Sequence, residues 1–189
     1  AAEPLYQEAL AMRQALLGDR HPDVATSLNN LAALYRSQGR YEAAEPLYQE
    51  ALAMRQALLG EAHPAVATSL NNLAALYRSQ GRYEAAEPLY LQALQIDIAA
   101  LGEDHPDTAI DVVNLAVLYT VLERFAEAEP LYLQAIHVFD QRLGESHPNT
   151  QTVYNNFVGF LRRVIESGQT DRLSDHPTTQ ALLQQLQQS

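Results

Sequence analysis

The chain has 189 residues, is 47% apolar, and carries a formal net charge of -11 with a pI near 4.8. It contains no cysteine and no lysine, which excludes disulfides, thiolate nucleophiles, Cys-based zinc sites, the P-loop and lysine Schiff-base chemistry. With no clustered cations, nucleic acid and anionic membrane surfaces are not expected partners, and no apolar run approaches the roughly 20 residues of a membrane span.

Shifting the sequence by 42 residues superimposes it on itself. AEPLY begins at Ala2, Ala44, Ala86 and Ala128, LG at Leu17, Leu59, Leu101 and Leu143, and HP at His21, His63, His105 and His147. Residues 1–42 and 43–84 differ only at Asp19/Glu61, Arg20/Ala62 and Asp23/Ala65. A fixed period of this size marks a solenoid, whose units bury their apolar faces against neighbours. The opening AAEPLYQEAL has neither a basic nor an apolar leader region, so no signal peptide is expected in this stretch.

Two helix types are predicted per period. The chain opens with one of the second type over 1–17. A first-type helix then starts at Pro22, a favoured first position, and places Val24, Leu28, Leu31 and Tyr35 on one face. Gly39 is its predicted left-handed C-cap. The second-type helix begins near Glu42, with Ala44, Leu47, Tyr48, Ala51 and Leu52 inward. Pro46 is read as lying among the first amides, which lack helical partners in any case, and Gly60 ends the helix. Full pairs are predicted near 23–59, 65–101 and 107–143, then a last first-type helix over 149–166. The glycine column fails at Glu123 and Ile165, and at Ile165 the helix is expected to run on to Gly168. The predicted organisation is a repeat solenoid over 1–167, a polar linker over 168–177, and a C-terminal capping helix in 178–189.

Leu28, Leu31, Ala32, Tyr35, Ala44, Tyr48 and Ala51 fall at the spacing of the tetratricopeptide signature. The variant with a 42-residue period, HPDVATSLNNLA and an LGxxHP loop resembles the repeats of kinesin light chains and their bacterial relatives. This resemblance covers residues 1 to about 165 and implies an all-α, right-handed superhelical solenoid of antiparallel helix pairs. Family members bind extended peptides or partner proteins in a concave groove lined by first-type helices, and the resemblance implies the same here.

In such repeats the groove corresponds to positions 26, 29, 30, 33, 36 and 37 and their echoes, largely off the core stripe. The columns include Asn29, Asn71, Val113 and Asn155, then Asn30, Asn72, Asn114 and Asn156, then Arg36, Arg78, Thr120 and Arg162. Asn is a poor helix-interior residue, so its recurrence needs a reason. A carboxamide pairs with both N–H and C=O of a peptide, and helices about 10 Å apart would space four clamps along roughly nine extended residues at about 3.3 Å each. The alternative is that these amides tie repeats together. Unit three differs: Ile110, Val113 and Val117 are apolar, and a partner's anchor side chain would dock there, or the patch packs internally. Arg36, Arg78 and Arg162 suit acidic side chains or a C-terminal carboxylate, or pair with nearby glutamates.

The HP histidines stand too far apart for one zinc ion, and no side-chain pattern supports an enzyme. The sequence therefore predicts a non-catalytic interaction scaffold without catalytic residues, metal or cofactor, monomeric and cytoplasmic, whose partner is a peptide or protein in the groove. End-to-end self-assembly and a regulatory repeat domain of a larger protein are the alternatives.

Overall fold

The computed structural model describes residues 2–188; the outermost positions of the predicted elements, Ala1 and Ser189, lie outside the described residues. Among the described residues the chain is all-α, with nine α-helices, one short 3-10 turn and no strand. In chain order these are α1 (Glu3–Leu17), α2 (Pro22–Ser37), α3 (Tyr41–Leu59), α4 (Pro64–Ser79), α5 (Tyr83–Leu101), α6 (Pro106–Val121), α7 (Phe125–Leu143), α8 (Pro148–Glu166), the 3-10 turn Thr170–Arg172, and α9 (Pro177–Gln187). No described helix is long and apolar enough to cross a membrane. The chain divides into two compact units, Ala1–Ala100 and Leu101–Ser189.

The punctuation is local chemistry. Each HP step makes histidine the N-cap: its Nδ1 accepts the backbone N–H two residues on, at 3.0 Å in His63 and 3.3 Å in His176. His21, His105 and His147 do the same. His176 is a fifth such cap, and it starts α9 at Pro177, inside the stretch read from sequence as linker. Proline follows at the first helical position, where its missing N–H costs nothing. Gly39 and Gly81 leave the first-type helices at φ 74°, and Glu123 is forced into the same left-handed region at φ 57°. Gly60 has φ 86° and ψ 158°, a conformation almost confined to glycine.

One expectation needs correcting. Because α3 begins at Tyr41, Pro46 is its sixth residue and lies beyond the unpaired amides. It removes the bond that would reach the carbonyl of Glu42. Glu42 is exposed, so water is at hand for that carbonyl.

In unit 1 the predicted stripe is buried: Val24 is fully inaccessible, and Leu28, Leu31 and Tyr35 are buried with it. Leu47 and Met54 of α3 and Leu10 of α1 pack against Val24, Ala25, Leu28 and Ala51. The cluster of Val66, Ala67, Leu70 and Ala93 repeats this, with Leu52, Leu89 and Ile96 around it. An arginine locks each turn. Arg40 lies 4.1 Å from the Tyr35 ring centroid and 2.8 Å from Glu3. Arg82 lies 4.0 Å from Tyr77 and 2.9 Å from Glu45. Residues 3–17 and 45–59 are identical in sequence, yet the first stretch has no buried residue while the second buries Tyr48, Ala51 and Arg55.

Unit 2 replaces much of this aliphatic core with rings. Phe125, Tyr132, Phe157 and Phe160 contact one another with centroids 5.3 to 5.9 Å apart. Helix α9 packs against α8 and buries Thr179 and Leu183.

Candidate functional site

First-type helices α2 and α4 run side by side in unit 1, and their Asn-Asn steps meet between them. Asn72 Nδ2 donates to Asn29 Oδ1 at 3.0 Å, with Asn29 buried. Here the amides tie one repeat to the next. Asn30 is exposed, and Asn71 is half-buried.

Below that bridge lies a buried arginine that sequence reasoning passed over. Arg55 on α3 donates to the Ala65 carbonyl at 3.1 Å, to Ser69 Oγ at 2.9 Å and to Thr26 Oγ1 at 3.3 Å. It is 8% exposed, and burial pulls its pKa below the ordinary arginine value. Arg13 repeats the motif one period earlier, at 2.8 Å from Ser27 Oγ. Guanidinium and amides together plug the space between α2, α3 and α4.

The same space in unit 2 is open. A cavity of about 270 Å³ is lined by Ile110, Val113, Asn114, Phe139, Asn149, Thr152, Val153 and Asn156. Each lies 84 residues after a member of the unit 1 plug or its rim, so Phe139 stands for Arg55, Val153 for Ser69, Val113 for Asn29 and Ile110 for Thr26. The polar plug has become an apolar socket. Ile110 is 41% exposed at its mouth, and Val113 is half-buried. Asn114 and Asn156 supply amides on its wall. Val117 is half-buried but does not line the cavity, and Asn155 is exposed and faces a separate polar depression with Glu145, Gln151 and Tyr154.

The family model for tetratricopeptide repeats matches residues 1–57, 29–99 and 65–136. The chain belongs to the tetratricopeptide repeat family. Repeats of this family are in general protein-interaction or scaffold modules. Among solved structures, BtubC (BKLC) from P. vanneervenii is similar at 25% identity and TM-score 0.72, covering 96% of this chain and 80% of that one. Two structures of a Podosopora anserina putative kinesin light chain with nearly identical TPR-like repeats are similar at 24% identity and TM-score 0.71, covering 99% of this chain and 84% of those. No curated protein matches the chain.

In this repeat family member the arginine column behaves unevenly. Arg36 and Arg78 are half-buried in unit 1, near two buried phenols. Burial pushes Tyr48 and Tyr90 above the ordinary tyrosine value; Arg36 pulls both back, and Arg78 pulls Tyr90. Among the described residues, no carboxylate lies within ion-pair distance of Arg36, Arg78 or Arg162, and Arg162 is exposed. The signal that sequence reading missed was in two other columns: Arg13, Arg55, Asp97, Phe139 and Ser27, Ser69, Asp111, Val153 change together.

Proposed function

We propose that this chain is a non-catalytic scaffold that holds an extended peptide or partner segment by an apolar anchor side chain in the unit 2 cavity. What supports the reading is the cavity beside Phe139, Val153 and Val113, at positions where unit 1 has the hydrogen-bonded Arg55, Ser69 and Asn29. A cavity of about 270 Å³ accommodates one aliphatic or aromatic side chain, the usual anchor of a peptide interface. Asn114 and Asn156 then pair with the backbone beside the anchor. In unit 1, Asn30, Asn71, Arg36 and Arg78 offer polar and cationic contacts to acidic groups of a ligand. End-to-end assembly is less favoured: α8 has Thr150, Gln151 and Tyr154 where α2 has Val24, Ala25 and Leu28, and α9 already packs against it.

The experiment is a screen of extended peptides against the chain and against Val113→Asn/Val153→Ser. Peptides with a shared apolar residue that bind the first and lose roughly tenfold or more on the second, with helicity intact, support the socket. Binding indifferent to both changes would sink it.

A further inference from the structure

Glu129 is a glutamate at 2% exposure with an unusual set of partners. One carboxylate oxygen accepts the Ser174 backbone N–H at 2.7 Å. The other accepts the Ser174 hydroxyl at 2.6 Å and the Thr179 hydroxyl at 2.7 Å. Two of its column equivalents in unit 1, Glu3 and Glu45, instead take Arg40 and Arg82 of the following turn. Where the arginine column reaches position 166 the chain has Glu166. The C-terminal segment thus stands in for an arginine with three neutral donors. They satisfy the carboxylate's hydrogen bonds but leave its charge uncancelled.

The segment otherwise buries few residues. Among its described residues only Thr179 and Leu183 are buried. Ser174 sits in an irregular stretch between the 3-10 turn and α9. Its hydroxyl also accepts the His176 N–H at 3.3 Å, and its carbonyl accepts from Gln180 at 2.8 Å. One hydroxyl therefore joins the buried carboxylate to the first turn of α9.

We propose that Ser174 is a phosphorylation site whose modification opens this latch. The transfer takes the γ-phosphoryl group of a nucleoside triphosphate: a bond forms from Ser174 Oγ to phosphorus, the bridging P–O bond breaks, and the nucleoside diphosphate leaves. The hydroxyl proton passes to the base of the kinase. The donor to Glu129 is then gone, and a dianion stands beside a buried anion. Arg172, Asp175 and His176 are the neighbouring charged or titratable groups on the segment. Arg172 lines the same surface hollow as Glu129 and Ser174, and it and the N-terminus of α9 would favour the phosphate in place. The closed form ties up the hydroxyl, so modification traps the segment open.

The test uses the whole chain with phosphoserine installed at position 174, and the readout is amide hydrogen exchange. Exchange over 177–187 should quicken roughly tenfold or more while α7 and α8 stay protected. Ser174→Ala keeps the backbone N–H and Thr179 donors and should change exchange only slightly. The proposal is overturned if the phosphorylated chain keeps α9 as protected as before, as it would with Arg172 holding the phosphate. It is equally overturned if Ser174→Ala opens α9 as far as phosphate does, or if α7 and α8 lose protection together with it.

Discussion

Replacing Arg55 separates two views of the unit 1 plug, as a stabilising tie or as a filler. Arg55→Ala withdraws the guanidinium from three oxygens. Thr26 Oγ1 retains its own bond to the Pro22 carbonyl at 3.1 Å, and the Ala65 carbonyl belongs to the first turn of a helix. Ser69, fully buried, is left with an unmatched hydroxyl, at a cost of about 1–3 kcal/mol. Loss of the packed aliphatic stem adds about 1–2 kcal/mol. Relief of a desolvated charge offsets part of this, so about 2–3 kcal/mol of net destabilisation is expected. Unit 2 supplies the control. Arg55→Phe with Ser69→Val copies Phe139 and Val153 and should remain within about 1.5 kcal/mol of the parent chain. Arg55→Phe alone strands the Ser69 hydroxyl, so a double-mutant cycle should give a favourable coupling of about 1–2 kcal/mol. Urea melts followed by helical circular dichroism read these values. If Arg55→Phe alone equals the double variant, the plug is filler and the hydrogen-bond argument fails.

Other perturbations test neighbouring claims. Asn72→Ala should cost about 0.5–1.5 kcal/mol by stranding buried Asn29, and the combination with Asn114→Ala should weaken a groove peptide while leaving helicity unchanged; global unfolding would make the column purely structural. Glu123→Gly should gain about 0.5–1 kcal/mol, since a left-handed residue at φ 57° suits glycine, and an unchanged melting midpoint would count against strain there. His63→Ala should lose about 0.5–2 kcal/mol of capping, whereas His63→Asn should retain most of it; equal melts for the two would remove the cap from the account. Glu127 is held below the ordinary carboxylate range by its bond to Arg124. Its stabilising contribution is present above the unfolded value and lost as pH falls through the lowered one. A carboxyl chemical-shift titration should show that midpoint rising in Arg124→Gln.

The fold was legible because period, proline and glycine each carry one local physical meaning. His21-Pro22 and Gly39 set the bounds of α2, and the Val24–Tyr35 stripe sets its face. Boundaries shifted where a cap was mistaken for linker, as at His176, or where a helix started a residue earlier, as at Tyr41. The candidate site was half legible. The apolar change at Ile110 and Val113 is visible in sequence, but its meaning depends on Phe139 and Val153, which lie on other helices and became partners only in three dimensions. For Asn29 the sequence leaves both a ligand and a tie between repeats open. Its bond to Asn72 depends on the spacing of α2 and α4, which a single helix face does not specify. Arg55 went unnoticed because a lone arginine on an amphipathic helix is ordinarily solvated.

The twin helices α1 and α3 have a consequence for how the molecule comes apart. One fifteen-residue sequence has no fully buried residue in one copy and three in the other, so its order is lent by neighbours and not owned. In a repeat stack stability is a sum over nearest neighbours, and a helix that buries less opens before its double. Amide exchange should therefore be faster over α1 than over α3, a difference in local stability that two matching sequences would not suggest.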